Sequence, residues 1–320
     1  MKDKPILITA GEPFGVFSEI FFKSFRKFKK KDQIILIASK DLLVKQMIEL
    51  NYNYSFNIIN ERKINFKKLD KKKINIIDIK FNFIKPFDKI SDKSNLYIKK
   101  CFALALKLLK KNSFSGFING PISKKNFLKK KFSGITEYLA SETKKKNVSM
   151  LIYNKKLSVS PITTHIPLKN VHKELSTKKI VDQVELIVKF YKKKIKKNPK
   201  IGITGLNPHC ESNYNSSEEI NIITPAIQIL KGRDYDIKGP LPADTIFMAQ
   251  QSRKFDVIVG MYHDQVLTPA KTIFNFNAIN ITLGLPFIRI SPDHGPNQSM
   301  AGKNLSNPQS LIEALNFLRR

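Results

Sequence analysis

Three histidines in this sequence each follow a short apolar run that is typical of a buried strand. His165 follows LSVSPITT, His209 follows KIGITGLNP, and His263 follows VIVGMY. If these strands lie side by side in one parallel sheet, their carboxyl ends converge at one edge. Three neutral imidazoles there would suit a catalytic divalent metal with open coordination positions. Histidines 44 and 54 residues apart carry no ligand signature of their own, so a structural role for each stays open.

Further polar side chains lie between residues 256 and 293, a stretch otherwise typical of buried strands and turns. Lys271 and Arg289 are cations in a nearly neutral region, with seven Lys or Arg against five Asp or Glu after residue 240. Both suit a phosphate or carboxylate, and the alternative for each is a plain surface charge. Asp244 and Asp264 could orient a ligand, bind an amine or act as general base. Residue types do not decide among these roles.

The elements that must position these residues alternate along the chain. Apolar strands followed by amphipathic helices predict an α/β fold with much parallel sheet. The first strand, PILITA, runs into the glycine turn GEPFG, which fits neither the GxGxxG nor the phosphate-loop pattern. Thr136 lies near the start of a predicted helix, where free backbone amides favour an anion. INIIDI, at residues 74–79, predicts another strand, and the lysine-rich residues on either side of it, up to about residue 93, allow no clear assignment.

The composition bounds the class of protein. A length of 320 residues allows a large buried core, and a formal charge of +31 raises the alternative of nucleic-acid binding. Most lysines, however, lie in clusters such as Lys71–Lys73 and Lys192–Lys197, where a solvated face is the simpler interpretation. No segment has the roughly 20 apolar residues of a membrane helix. The two cysteines suit a reducing compartment, so we expect a cytoplasmic protein without a membrane partner.

Nine short motifs occur in order along nearly the whole chain: GEPFG, NGPISK, FSGITEYLA, TTHIPL, GLNPHCE, GPLPADT, MYHDQ, NITLGLPFIR and DHG. Their order and approximate spacing resemble the 4-hydroxythreonine-4-phosphate dehydrogenase family of vitamin B6 biosynthesis. The resemblance implies two α/β/α domains, similar to isocitrate and isopropylmalate dehydrogenases, with the active site in the cleft between them. We expect one domain from residues 1–118 plus 280–320, and a second from residues 119–279 that carries the metal histidines and dimer contacts.

The resemblance also implies an activity. NAD, with NADP as an alternative, would oxidise the 3-hydroxyl of 4-phosphooxy-L-threonine, and decarboxylation would give 3-amino-2-oxopropyl phosphate for pyridoxal 5'-phosphate synthesis. A divalent metal (zinc, magnesium, cobalt or manganese) and a homodimer in which both subunits build each metal site are implied as well. Together with the residue types above, the expected roles are metal ligands His165, His209 and His263; substrate contacts Thr136, Lys271, Asn280 and Arg289; cofactor contacts His294 and Gly295; and catalytic candidates Asp244, Asp264 and Lys271.

The chain departs from the family pattern at several positions near the predicted site. Ile135 stands where the family has a substrate-binding histidine, and Phe14 and Phe17 replace small residues after the first strand. The NPH motif continues as CESN, and HG is followed by Pro296 and Asn297. Two other functions therefore stay open. One is a paralogue that oxidises another phosphorylated hydroxy acid, such as a phospho-threonate or phospho-erythronate, and the other is a basic binding protein on a degenerate enzyme scaffold.

Overall fold

The computed structural model describes residues 4–27, 33–111, 113–129, 131–132, 134–210, 216–275 and 277–319. The chain forms two compact units. Unit 1 comprises Met1–Ile135 and Phe287–Arg320, and unit 2 comprises Thr136–Pro286. The sequence predicted domain boundaries after residues 118 and 279, whereas the units divide after residues 135 and 286. The predicted domain boundaries stay a prediction.

Strands and helices alternate through most of the described chain, which confirms the α/β fold class. Among the described residues, no helix is both long and apolar enough to cross a membrane. The strands are β1 (Ile6–Thr9), β2 (Ile34–Ala38), β3 (Phe56–Ile58), β4 (Ile74–Asp78), β5 (Gly116–Asn119), β6 (Ser149–Tyr153), β7 (Ser158–Pro161), β8 (Ile201–Thr204), β9 (Ile237–Leu241), β10 (Val257–Gly260), β11 (Ile279–Leu283) and β12 (Arg289–Ser291). The helices are α1 (Phe17–Phe25), α2 (Lys40–Glu49), α3 (Asn95–Leu109), α4 (Ile135–Glu142), α5 (Val171–Glu174), α6 (Thr177–Phe190), α7 (Thr224–Lys231), α8 (Ala249–Ser252), α9 (His263–Phe274) and α10 (Gln309–Leu318).

Unit 1 contains a parallel sheet in the order β3-β4-β2-β1-β5-β12. β1 and β2 are buried along their whole length and almost entirely apolar, as expected of central strands covered on both faces. Helix α3 contributes Phe102, whose ring packs edge-on against Phe117 of β5. Because the strands are parallel, the residues that follow β1, β5 and β12 lie at the same edge of this sheet.

Unit 2 contains a mixed sheet in the order β11-β6-β7-β10-β8-β9. β6 runs antiparallel to both β11 and β7. β7, β10, β8 and β9 are parallel. Val159, Ile258 and Val266, from β7, β10 and α9, belong to one buried core. The carboxyl ends of β7, β8 and β10 therefore share one edge, and each of the three histidines follows one of these strands.

The stretch after His263 is helical, so its interpretation as strands and turns was wrong. α9 includes Pro269 in its interior. Its buried residues, among them Val266, Leu267 and Ala270, follow helical spacing and face the core. Proline usually ends or kinks a helix. Burial of the apolar face outweighs the lost backbone hydrogen bond at this position.

Candidate active site

His165 and His263 lie close together after neighbouring parallel strands, β7 and β10. Thr163 joins the two loops, because its backbone N–H and its hydroxyl both donate to the carbonyl oxygen of Met261, at 3.2 and 2.8 Å. The imidazole ring centres are 6.0 Å apart, and the ring planes are inclined by 39°. The structure therefore brings two of the three predicted metal ligands into one place.

Asp264 orients the ring of His263. Its Oδ1 lies 2.6 Å from His263 Nδ1. An ionised carboxylate can only accept a hydrogen bond, so the neutral form of the ring carries its hydrogen on Nδ1 and keeps the lone pair on Nε2. Histidines that bind metals commonly donate their other ring N–H to a carboxylate in this way. His263 is thus prepared to bind a ligand through Nε2.

The donor chemistry of the His165–His263 pair fits a divalent metal. A zinc–imidazole bond is about 2.1 Å long, so two rings on one tetrahedral ion have centres about 5.3 Å apart. The observed separation of 6.0 Å is somewhat longer, so the two rings would move closer together on binding one ion. Neutral imidazole nitrogens are good ligands for zinc and related transition metals.

His209 has a different neighbour. Its Nε2 lies 3.6 Å from Asp244 Oδ2, which is too long for a hydrogen bond, and the two side chains are 68% and 56% exposed. Within the described ranges, no three His, Cys, Asp or Glu side chains form a group that could hold a metal ion. A single chain therefore presents the histidines as a His165–His263 pair and a separate His209–Asp244 pair.

The loop that carries His209 is held by Glu219, a buried residue that sequence reasoning missed. The Glu219 carboxylate accepts hydrogen bonds from the backbone N–H groups of Leu206 and Asn207 and from Asn207 Nδ2, each at 2.8 Å. Burial alone would raise the pKa of Glu219, but these hydrogen bonds outweigh it and hold that pKa below its ordinary value. His209 has a φ of 57°, in the left-handed region. Most of the CESN departure after it falls outside the described residues.

Thr136 and Asn280 come together across unit 2. Thr136 Oγ1 lies 3.4 Å from Thr282 Oγ1. Thr282 is two residues from Asn280 on β11, so both side chains lie on one face of that strand. Asn280 Nδ2 donates only to the weak acceptor Met150 Sδ, at 3.3 Å, and its buried Oδ1 has no hydrogen-bond partner in the described part of the chain. Lys271, the other predicted substrate contact in this unit, is exposed on α9, two turns after His263.

Arg289 is fully buried, so the surface-charge alternative is wrong for this residue. Its Nε donates to Asn119 Oδ1 at 2.7 Å. In the parallel register of β12 and β5, Arg289 lies opposite Phe117, and Asn119 lies two residues further on the same face. Sequence reasoning did not single out Asn119. A polar residue at the end of the apolar run GFIN was the available signal.

His294 and Gly295 form part of the turn after β12. Burial lowers the pKa of His294, with Asp293 opposing the shift, so the imidazole is neutral near pH 7. A Cβ atom at Gly295 would meet only Asn297, at 3.1 Å from its Oδ1, and otherwise open space. The turn therefore presents a neutral imidazole and a stretch of backbone that no side chain covers.

Glu12 is a buried carboxyl group in the GEPFG turn. Its side chain is 1% exposed, and neither oxygen has a hydrogen bond of normal geometry within the described residues. Burial raises the pKa of Glu12 to about 7, although the Ser94 hydroxyl and the Ser123 backbone N–H act in the opposite direction. Together with Ser39 and Tyr97 it lines a cavity of about 10 Å³, enough for about one water molecule. Glu12 therefore titrates near neutral pH.

Known proteins resemble this chain in both sequence and fold. The family model described as "Pyridoxal phosphate biosynthetic protein PdxA" matches residues 30–318. A 4-hydroxythreonine-4-phosphate dehydrogenase from a Sulfurihydrogenibium species is 38% identical over 315 residues, which cover 97% of this chain and 96% of that protein. A putative D-threonate 4-phosphate dehydrogenase from Oceanobacillus iheyensis is 33% identical over 98% of this chain and 97% of its own length.

The solved structures agree with the sequence relatives. A 4-hydroxythreonine-4-phosphate dehydrogenase from Klebsiella pneumoniae has a TM-score of 0.86 to this chain at 26% identity, and the match covers 99% of this chain and 97% of that one. The resemblance first seen in the motifs is therefore confirmed over nearly the full length. This chain belongs to the PdxA family of pyridoxal phosphate biosynthetic proteins.

Proposed function

We propose that this chain is a metal-dependent dehydrogenase that uses NAD to oxidise the 3-hydroxyl of 4-phosphooxy-L-threonine, with decarboxylation to 3-amino-2-oxopropyl phosphate. The observation that carries the proposal is the His165–His263 pair, with ring centres 6.0 Å apart and Asp264 at Nδ1 of His263. Relatives named 4-hydroxythreonine-4-phosphate dehydrogenase across nearly the full chain support this substrate over other alcohols.

His165, His209 and His263 are the proposed ligands of a divalent cation. When bound, the cation supplies Lewis acidity to an alcohol or ketone oxygen, and the nicotinamide supplies the hydride acceptor. Imidazole donors favour zinc and related transition metals over magnesium, which prefers oxygen ligands. His209 lies next to Asp244 within its own chain. Within the described residues of one chain, His209 does not form a metal-binding group with His165 and His263, and for this reason we propose a homodimer in which both subunits contribute to each metal site.

The substrate is proposed to be bound by four side chains. Thr136, in the first turn of α4, offers a hydroxyl and the free amides of a helix N-terminus to the phosphate. The buried Asn280 Oδ1 is an acceptor suited to the substrate amine or a hydroxyl. Lys271 and Arg289 supply positive charge for the phosphate and the carboxylate. Each of these side chains thus has a donor, an acceptor or a charge that suits the substrate group assigned to it.

Proton handling is assigned to Asp244, Asp264 and Lys271. Asp264 holds the hydrogen on His263 Nδ1 and so keeps Nε2 free for a ligand. Asp244 lies 3.6 Å from His209 without a hydrogen bond to it, which leaves the carboxylate able to accept the proton of the 3-hydroxyl. Lys271 is exposed and cationic, so it can return a proton to the carbon from which the carboxylate leaves.

The adenosine part of NAD is proposed to contact His294 and Gly295. The lowered pKa of His294 keeps its ring neutral, and a neutral imidazole can both donate and accept a hydrogen bond. The backbone at Gly295 has open space where a side chain would point. Both features suit an uncharged base and ribose.

A second candidate is the oxidation of a phosphorylated hydroxy acid that lacks the amine, such as a phospho-threonate or phospho-erythronate. Ile135 favours it, because an aliphatic side chain replaces the histidine of the family pattern immediately before Thr136. The relative named putative D-threonate 4-phosphate dehydrogenase is 33% identical over nearly the whole chain. The two candidates share the metal, the cofactor and the dimer.

The test is turnover of the purified protein with each substrate. Zinc, cobalt, manganese or magnesium is added in turn with NAD or NADP, and both reduced nicotinamide and released carbon dioxide are measured. We expect the highest kcat/KM with 4-phosphooxy-L-threonine. Higher kcat/KM with 4-phospho-D-threonate or 4-phospho-D-erythronate would establish the second candidate instead. No turnover with any of them, together with salt-sensitive binding to nucleic acid, would favour the basic binding protein.

A further inference from the structure

Gln265 lies two residues after His263, in the first turn of α9, and its side chain is buried. Its Oε1 accepts hydrogen bonds from Thr204 Oγ1 at 2.8 Å and from the Met261 backbone N–H at 2.7 Å. Its Nε2 donates to the carbonyl oxygen of Gly205 at 2.8 Å. A reversed amide would place its NH₂ against the Met261 N–H, donor against donor, so the orientation is determined. Each polar atom of this side chain is thus engaged.

These three hydrogen bonds connect two different histidine loops. Thr204 ends β8, and Gly205 begins the loop that leads to His209. Met261 lies in the loop between β10 and His263. β8 and β10 are parallel neighbours. A single buried side chain therefore sets the distance between the backbones that carry His209 and His263.

Close packing around Gln265 restricts the position of its side chain. A Cβ atom at Gly260 would lie 3.0 Å from Gln265 Oε1 and 2.4 Å from Val266 Cγ1. On the other loop, a Cβ atom at Gly205 would lie 2.7 Å from the Cys210 sulfur. Gly260 therefore leaves room for the amide of Gln265, and Gly205 leaves room for Cys210 within the His209 loop. The close contact on both sides makes the connection rigid.

Burying an amide costs free energy unless each of its donors and acceptors forms a hydrogen bond that replaces one to water. An aliphatic side chain of similar size would pack against Val266 without that requirement. We propose that Gln265 is a positioning residue, which holds the His209 loop and the His263 loop in fixed places at the ends of their strands, so that each presents its imidazole to a divalent cation. The inference rests on the metal site of the proposed function. Gln265 itself touches neither the metal nor the substrate.

The test compares variants for metal affinity in the absence of substrate. Gln265→Met keeps the approximate shape and removes all three hydrogen bonds, whereas Gln265→Glu keeps the acceptor for Thr204 and Met261 but replaces the donor to Gly205 with an oxygen of a buried carboxyl group. Gln46→Met is the matched control: Gln46 is also buried, and its Nε2 donates to the carbonyl oxygens of Pro13 and Pro86 in unit 1. Co²⁺ affinity is measured by chelator competition, the Co²⁺ absorption spectrum reports ligand geometry, and thermal unfolding reports stability.

We expect Gln265→Met to weaken Co²⁺ binding about 10- to 100-fold and to change the spectrum, as is typical when a residue that orients metal ligands is lost. Gln265→Glu should be affected less, and Gln46→Met should bind like the wild type even if its midpoint of unfolding falls. Thr204→Val, which removes one hydrogen bond, gives a milder variant if Gln265→Met does not fold. Its affinity should fall a few-fold.

Two results would overturn the inference, and they are distinguishable. If the wild type binds Co²⁺ and the Gln265 and Thr204 variants bind it equally well with the same spectrum, Gln265 has no positioning role and the proposed function stands. If the wild type itself binds no Co²⁺, Zn²⁺ or Mn²⁺, the metal site of the proposed function is wrong and the inference falls with it.

Discussion

Arg289 Nε donates a hydrogen bond to Asn119 Oδ1 across 2.7 Å, and both side chains are buried. Asn119 Nδ2 in turn donates to the carbonyl oxygen of Gly120 at 3.0 Å, which determines the direction of the amide. The acceptor is neutral, so Asn119 orients the guanidinium group without adding a negative charge beside it. This arrangement suits a cation whose proposed task is to bind the phosphate or carboxylate of a substrate.

Replacing Asn119 should therefore affect substrate binding more than stability. Asn119→Asp keeps an acceptor for Arg289 Nε but adds a charge that competes with an anionic substrate. We expect KM for the phosphorylated substrate to rise about tenfold while the midpoint of thermal unfolding stays level or rises. Asn75→Asp is the control, since Asn75 is a buried residue of β4 with its own hydrogen bonds to Asp70 and Asn57. An Asn119→Asp enzyme with unchanged KM would show that Arg289 does not bind the substrate.

Glu12 makes stability fall as pH rises. Its folded pKa is about 7 against an ordinary value of 4.5, so between these values the folded state holds a proton that the unfolded state has lost. The free energy of unfolding should thus decrease from about pH 4.5 to about pH 7, by up to about 3 kcal/mol. Glu12→Gln should remove this dependence and be the more stable protein above pH 7. The free energy of unfolding of both proteins is measured by urea unfolding at several pH values. If it changes with pH in parallel for the two proteins, Glu12 is not the cause of the pH dependence.

Glu219 acts in the opposite direction. Its folded pKa lies below the ordinary value, so its stabilising contribution is present above about pH 4.5 and is lost as pH falls through the folded pKa. In Glu219→Gln, an amide NH₂ would face either the backbone N–H groups of Leu206 and Asn207 or the NH₂ of Asn207. We expect a loss of about 1–3 kcal/mol and weaker metal binding, because the His209 loop loosens.

Glu218→Gln is the control for this effect. The Glu218 carboxylate accepts one hydrogen bond from Asn207 Nδ2, at 3.0 Å, whereas Glu219 accepts three in this loop. The control should lose little stability. Equal losses in both variants would mean that Glu219 has no special part in holding the loop.

Ile135 offers a test of substrate identity. Restoring the family residue in Ile135→His places a hydrogen-bond donor beside Thr136, at the first residue of α4. We expect kcat/KM for 4-phosphooxy-L-threonine to rise several-fold through a lower KM, with Ile135→Leu as the control for size. If the histidine variant is slower on every phosphorylated substrate, this chain has adapted its pocket to the isoleucine.

Motifs and apolar runs predicted the framework of the site but not the contacts that hold it. His165, His209 and His263 stood out because each follows a strand, and the parallel order of β7, β10 and β8 explains that pattern. The pairing of His209 with Asp244 joins residues that are distant in sequence, and periodicity carries no information about such contacts.

Functional residues that the sequence did not indicate were missed for a similar physical reason. Gln265 and Glu219 act through hydrogen bonds to backbone atoms of other segments, and almost any sequence supplies backbone donors and acceptors. Arg289 was predicted as a substrate contact with a surface charge as the alternative, and its burial opposite Phe117 excludes only the surface charge. Helix α9 was not predicted, although its buried residues Val266, Leu267 and Ala270 follow helical spacing.

The most direct test of the account is the metal content of a His263→Ala protein compared with the wild type. His172→Ala serves as the matched control, because His172 is an exposed histidine on the short helix α5. After equilibration with Zn²⁺ and removal of free metal, we predict one ion per chain in the wild type and the control, and a large loss of both metal and NAD reduction in His263→Ala. A His263→Ala protein that retains its metal and its activity would contradict the three-histidine site.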